Sequence, residues 1–333
     1  MKAAVIGAGG WGTTLAQLLA ERGHDVVLWA RSEETAREIE RTRENASYLP
    51  EITLNPTIRI THAQEELRDR HLYVFAIPSQ ATREVTRLLK EDLRGDGSSI
   101  FVTASKGIEK GSLRRMTEVL SESLGVDSSR TLALSGPSHA EEVAREYPTA
   151  VVIAGEDHAL AKEVQQAFLL PYFRVYSSPD VIGTELAGAL KNVIAICAGI
   201  IDGVGYGDNT KAALITRGLA EMRRLGLALG AEEYTFSGLA GLGDLVVTCA
   251  SKHSRNRYVG EQIGKGRTLG DVLSHMKMVA EGVTTTESAR QLASLHHIEM
   301  PIVQETYHIL FEDKDPRTAT IDLMTRDAKS ERW

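Results

Sequence analysis

Over the first 180 residues, short apolar runs rich in β-branched residues alternate with polar stretches of helical period. KAAVI (2–6), DVVLW (25–29), IRIT (58–61), LYVFAI (72–77), SIFVTAS (99–105), TLALS (131–135), TAVVIAG (149–155) and FRVYS (173–177) read as strands. Strands that alternate with helical segments predict a parallel sheet covered by helices. SQATREVTRLLKEDL (79–93) predicts one of those helices, with Ser79 placed to cap its start and apolar residues at helical spacing up to Leu93. After SSPD (177–180) strand-like runs become few and helical ones many. The expected organisation is an α/β domain over 1–180 and a mostly α-helical domain over 181–333.

At the start of the second part, ELAGALKNVIAICAGIIDG (185–203) is apolar nearly all round, the pattern of a buried helix. It carries a lysine, Lys191, in its middle. The residues three and four positions away are Ala187, Gly188, Ile194 and Ala195, mostly small, so the lysine has room beside it and no obvious route to water. A lone buried ammonium would be costly or would lose its proton. Two readings stand at this point: the lysine snorkels or meets an internal carboxylate, or it belongs to a site.

Length and composition narrow the picture. A chain of 333 residues exceeds the size at which one core usually keeps growing, which agrees with two domains. The composition, 42% hydrophobic and 25% charged, is that of an ordinary globular protein, and the formal net charge of -7 disfavours nucleic acid and anionic membranes as partners. Cys197 and Cys249 are too few for a disulfide framework and suit a reducing compartment. The longest apolar runs, such as 193–201, fall short of the roughly 20 residues a spanning helix needs. The N-terminus opens directly into a strand, without a signal-peptide pattern. The expectation is a cytoplasmic protein with no stable membrane insertion and no metal site.

KAAVIGAGGWGTTLAQLLAERGHDVVLWAR places Gly7, Gly9 and Gly12 in G-x-G-x-x-G spacing, after a strand and at the opening of a helix. In that pattern the first glycine permits the tight turn, the second lets a diphosphate approach the backbone, and the third lets helix and strand pack closely. The helix N-terminus adds free N–H groups and a positive dipole end, so a dinucleotide site is expected. At the end of the second strand stand Ala30, Arg31 and Ser32, where an acidic residue would favour NAD alone. Arg31 could pair with a 2′-phosphate, so NADP is expected to be accepted alongside NAD.

Basic residues follow at positions suited to an anionic substrate. Lys106, in FVTASKGIEKG, comes just after a strand, and SGPSHA follows another, with Ser138 or His139 at the next helix start. In GLAGLGDLVVTCASKHSRNRYVG (238–260), a glycine-rich turn carries Asp244, and Ser254, Arg255, Asn256 and Arg257 form a polar cluster at a possible helix start. A guanidinium, an amide, a hydroxyl and free backbone N–H groups together suit a phosphate.

Together, GAGGWGTTLA, VTASKGIE, SGPSHAEEV, ELAGALKNVIAICAGIIDG, GLAGLGDLVVTC, SRNR and VAEGVTTTESA resemble the bacterial soluble NAD(P)-dependent glycerol-3-phosphate dehydrogenases, over essentially the whole chain. The resemblance implies an α/β Rossmann-type N-terminal domain and a helical C-terminal domain like that of 6-phosphogluconate dehydrogenase. It also implies interconversion of dihydroxyacetone phosphate and sn-glycerol 3-phosphate, a homodimer, and a supply of glycerol 3-phosphate for glycerophospholipid synthesis. By motif, Gly10, Trp11, Arg31, Ala140, Val279 and Glu281 match cofactor contacts, beside Gly7, Gly9 and Gly12. Lys106 and Arg255 match positions near both ligands. Gly136, Ser138, Asp244, Ser254 and Asn256 match substrate contacts, and Lys191 matches the proton-transferring lysine. Gly10 departs from the serine often found there. If Lys106 lies near Lys191, its charge and burial together would lower the Lys191 pKa. The competing readings are a related β-hydroxyacid dehydrogenase and a nicotinamide-binding sensor without turnover.

Overall fold

The computed structural model describes residues 1–93, 97–276, 278–328 and 330–331. Its strands are β1 (Lys2–Ile6), β2 (Asp25–Trp29), β3 (Glu44–Asn45), β4 (Leu49–Thr53), β5 (Arg59–Thr61), β6 (Leu72–Phe75), β7 (Ile100–Thr103), β8 (Thr131–Ser135), β9 (Thr149–Ala154) and β10 (Phe173–Ser178). The helices interleaved with them are α1 (Gly10–Glu21), α2 (Glu33–Thr42), α3 (Thr82–Leu93), α4 (Met116–Leu124), α5 (Ala140–Val143) and α6 (His158–Phe168). From there on the described chain is helical: α7 (Val181–Val204), α8 (Asp208–Ala228), α9 (Glu233–Ser237), α10 (Asp244–Ala250), α11 (Arg255–Gly264), α12 (Leu269–Ser274), α13 (Glu281–Leu295), α14 (Pro301–Phe311) and α15 (Pro316–Met324).

Eight strands form one sheet in the order β10-β9-β8-β7-β6-β1-β2-β5, while β3 and β4 pair as a separate hairpin. The alternation along β1 shows why the sheet is covered on both sides: Ala3 and Val5 enter one apolar cluster, Ala4 and Ile6 another on the opposite face. The sheet is not wholly parallel, because β9 runs antiparallel to β8, pairing Leu134 with Ile153. The segment between them holds only the four-residue α5, which does not carry the chain back across the sheet. It stays at the carboxyl edge of β8 and leaves Gly136 to Ala140 there.

Ser79 also departs from expectation. Residues Ser79–Ala81 form a 3-10 turn ahead of α3, and the Ser79 hydroxyl makes no cap but donates to Glu281 on α13. A charged acceptor outcompetes the local backbone for that hydroxyl.

The centre of the helical part is α7. Asp180 caps it by accepting from the Gly183 N–H at 2.7 Å, and Gly205, at φ 89°, ends it. By length and composition α7 could cross a bilayer, with a mean hydropathy of 1.5, so the expectation from the shorter apolar runs understated this segment. Here it is packed on every side by α8, α10, α11 and α13. Its closest neighbour is α11: a Cβ at Gly199 would fall 1.9 Å from the Arg257 carbonyl oxygen, and one at Gly260 1.9 Å from that of Ile196. Only backbone fits at this crossing. It brings the first turn of α11 against the middle of α7, beside Lys191.

Candidate active site

A cavity of about 560 Å³ opens at the carboxyl edge of the sheet, walled by the glycine-rich loop on one side and by α7, α10 and α11 on the other. At the loop, Gly7 has φ 112° and a Cβ there would lie 2.6 Å from the Ala76 carbonyl oxygen. A Cβ at Gly12 would lie 1.8 Å from the Gly7 carbonyl oxygen, so Gly12 packs behind the loop and does not line the cavity. Nothing stands within 4 Å of the Cβ position of Gly9. At Gly10 the Tyr48 carbonyl oxygen is 3.0 Å from that position, a physical reason for the missing serine side chain. Trp11, Arg31 and Ala140 line the same cavity, with Arg31 exposed and paired to Glu84 at 3.0 Å. An open glycine cradle at the start of α1 could hold a dinucleotide diphosphate.

At the opposite wall, Lys191 has found an internal carboxylate. Its Nζ donates to Asp244 Oδ1 at 2.5 Å and to Thr248 Oγ1 at 2.7 Å. Lys106 Nζ donates to the other oxygen of the same carboxylate, Asp244 Oδ2, at 2.8 Å, and to the Gly136 carbonyl at 2.9 Å. Two ammonium groups therefore share one carboxylate, and Asp244 is only 1% exposed. Burial pulls the Lys191 pKa down to about 8; Asp244 opposes that shift and Lys106 adds to it. Burial pushes Asp244 up, but Lys106 and Lys191 outweigh it and hold the carboxyl below its ordinary value. Asp244 and Gly136 thus stand behind the two lysines and are not part of the cavity wall. His139, beside them, is brought down to about 4 by burial and then by Lys191, so its imidazole is neutral at neutral pH.

The first turn of α11 completes this wall. Ser254 is its N-cap, accepting from the Arg257 N–H at 3.2 Å, and Arg255 is exposed and lines the cavity. Asn256 Nδ2 donates to Asn192 Oδ1 at 2.9 Å, while Asn256 Oδ1 accepts from the Gly282 N–H at 2.9 Å. Asn192 in turn donates to the Lys106 carbonyl at 3.1 Å. Arg257, in the same basic run, points elsewhere and pairs with Asp202 at 2.6 Å. Ser138 lines the cavity with its hydroxyl donated to the Gly136 carbonyl at 3.0 Å, and Val279 lines it as an exposed side chain. Glu281 lines it too, but its carboxylate is taken by Ser79, whose N–H donates at 2.8 Å. Sequence reasoning had not singled out Thr248 or Asn192. Thr248 stands four residues after Asp244 on one helix face, a spacing that could have revealed it.

Residues 2–161 match the family model described as the N-terminus of NAD-dependent glycerol-3-phosphate dehydrogenase, and residues 180–321 match the model of its C-terminus. The chain belongs to this family. Among glycerol-3-phosphate dehydrogenases that use NAD(P)+, that of Prosthecochloris aestuarii is 54% identical over 329 residues, covering 98% of both chains. That of Geobacter sp. strain M21 is 53% identical, covering 99% of this chain and 98% of its own. The crystal structure of the Coxiella burnetii glycerol-3-phosphate dehydrogenase matches with a TM-score of 0.92 at 38% identity, covering 98% of this chain and 99% of that one. A ketopantoate reductase from Ralstonia eutropha, with a TM-score of 0.61 and 15% identity, shares the fold alone. As a glycerol-3-phosphate dehydrogenase, the chain is an oxidoreductase with NAD or NADP as its cofactor.

Proposed function

We propose that this chain interconverts dihydroxyacetone phosphate and sn-glycerol 3-phosphate in this cleft, with Lys191 as the proton donor and acceptor. The observation that carries the reading is the buried Asp244 carboxylate shared by Lys191 and Lys106 at the cavity wall. A bound nicotinamide supplies or accepts the hydride. Reduction of the ketone leaves negative charge on the C2 oxygen, and the Lys191 ammonium stabilises that charge and gives it a proton. In the other direction the neutral amine takes the hydroxyl proton. With a pKa of about 8, Lys191 supplies either form near neutral pH. Arg255, Ser254, Asn256 and the free N–H groups at the start of α11 hold the substrate phosphate.

The same reading divides the chain into a dinucleotide-binding domain over 1–180 and a substrate-binding, catalytic domain over 181–333. It makes the protein a cytoplasmic homodimer, without membrane insertion, that feeds glycerophospholipid synthesis. The test is to follow NADH and NADPH oxidation with dihydroxyacetone phosphate, using unphosphorylated dihydroxyacetone as control. Oxidation that depends on the phosphate supports the assignment. Nicotinamide binding without turnover would move the reading to a sensor or to another substrate.

A further inference from the structure

Asn45 lies in the β3–β4 hairpin, an excursion between α2 and β5 that no part of the dehydrogenase reading uses. Asn45 is 2% exposed, and its Nδ2 donates to the Ala8 carbonyl at 2.9 Å and to Thr13 Oγ1 at 2.8 Å. The Ala8 carbonyl is solely an acceptor, so the amide nitrogen must be the atom that faces it. These two partners bracket the glycine cradle, Ala8 just before Gly9 and Thr13 in the first turn of α1. In a trans peptide the C=O and N–H point in opposite directions. Holding the Ala8 carbonyl therefore sets the direction of the Gly9 N–H.

The rest of the excursion is anchored to the same helix. Gln17 Oε1, on α1, accepts from the Asn55 N–H at 2.8 Å, and Arg43 Nη2 donates to the Asn55 and Ile58 carbonyls at 2.7 and 2.8 Å. Between the anchors, Tyr48 lines the cavity with Gly9 and Gly10, and its carbonyl occupies the space above Gly10. The excursion is a strap tied down across the cradle, and Asn45 is its tie at the loop.

We propose that Asn45 is a positioning residue for the dinucleotide: it fixes the Ala8–Gly9 peptide so that the cradle is preformed for a diphosphate. The proposal rests on the reading of this cleft as an NAD(P) site. It predicts a loss confined to binding of the cofactor's diphosphate portion, because Asn45 touches none of the residues at the Lys191 wall.

The experiment titrates NADH and ADP-ribose into the full-length protein and its Asn45→Ala variant by calorimetry, alongside steady-state kinetics and thermal melting. Loss of this buried bond should raise the dissociation constants of NADH and ADP-ribose by a similar factor, about tenfold. At saturating cofactor, kcat and the KM for dihydroxyacetone phosphate should stay within about twofold. A lower melting temperature with unchanged dissociation constants would overturn the proposal and make Asn45 a stabilising residue alone. Should Asn45→Ala fail to fold, Thr13→Val keeps the shape and removes one acceptor. A rise of about threefold in both constants is then expected, and no rise overturns the proposal. If the wild-type protein bound neither NADH nor ADP-ribose, the cleft reading would fail first and take this proposal with it.

Discussion

An ammonium shut away from water keeps its charge only while something offsets the lost hydration, and at Lys191 that something is Asp244, 2.5 Å away. On the proposed mechanism, Lys191→Ala removes the proton donor without touching the glycine cradle. Turnover should fall by about 10²- to 10⁴-fold while the NADH dissociation constant stays within about twofold, read by stopped-flow kinetics and by titration. The pH profile follows from the lowered pKa. If Lys191 is the proposed proton donor and acceptor, reduction needs its ammonium, so the rate should fall as pH rises through about 8, and oxidation, which needs the amine, should rise over the same interval. In Asp244→Asn the charge that opposes the downward shift is gone, so both inflections should move to lower pH. An unmoved inflection would assign the titration to another group. Arg255 is exposed at the cavity wall, and Arg255→Ala should raise the KM for dihydroxyacetone phosphate by about 10- to 100-fold with a smaller effect on kcat. Lys191 was legible in the sequence because a lone charge in an apolar helix is a local anomaly. Its partner was not, because Asp244 lies 53 residues further on and only the packing of α10 on α7 joins them. The two arginines of SRNR could not be separated by composition. Helical geometry separates them, since positions two apart point roughly 200° apart around the axis.

The element that sets this geometry is the crossing of α7 and α11. Gly199 and Gly260 each leave no space for a Cβ, and the contact places Asn256 within hydrogen-bond reach of Asn192, one residue from Lys191. Gly260→Val should therefore separate the helices, costing about 1–3 kcal/mol in a denaturant titration. It should also raise the substrate KM, because Arg255 moves with the first turn of α11. Unchanged stability would mean that the crossing adjusts without loss. The strands of the main sheet were readable from their apolar, β-branched runs, and α1 and α11 from the motifs that open them. The direction of β9 was not, because an apolar run has the same pattern whichever way it pairs. Nor was the β3–β4 hairpin, whose short strands expose Glu51 and Pro50 and carry no alternating apolar signal. That hairpin is held to the rest of the domain by Asn45, bonded to Ala8 and Thr13, and by the N–H of Asn55, bonded to Gln17 on α1.

At the scale of the molecule, the cavity exists because the sheet and the helical part are tied on more than one side. Three of the ties lie at the cavity: Lys106 to Asp244, Asn192 to the Lys106 carbonyl, and Ser79 to Glu281. A fourth lies away from it. Glu185 on α7 is buried and accepts from Arg115 Nη1 at 2.7 Å, the Thr117 N–H at 2.8 Å and the Thr117 hydroxyl at 2.5 Å, all at the start of α4. Because Glu185 does not line the cavity, it separates holding the two parts together from binding ligands. Glu185→Ala leaves the buried Thr117 N–H and hydroxyl without their acceptor, while the partly buried Arg115 keeps Glu118. The loss should cost about 1–3 kcal/mol of unfolding free energy. The NADH dissociation constant of the folded fraction should rise less than the substrate KM, since the glycine cradle itself lies on β1 and α1 while Arg255, Val279 and Glu281 reach the cavity from the helical part. The substrate KM should rise, because Arg255 and Lys191 belong to the part that Glu185 secures. Denaturant titration and nicotinamide binding on the same preparation decide the matter. A loss of nicotinamide affinity equal to the loss for substrate would mean that the cradle, too, depends on how the two parts are joined.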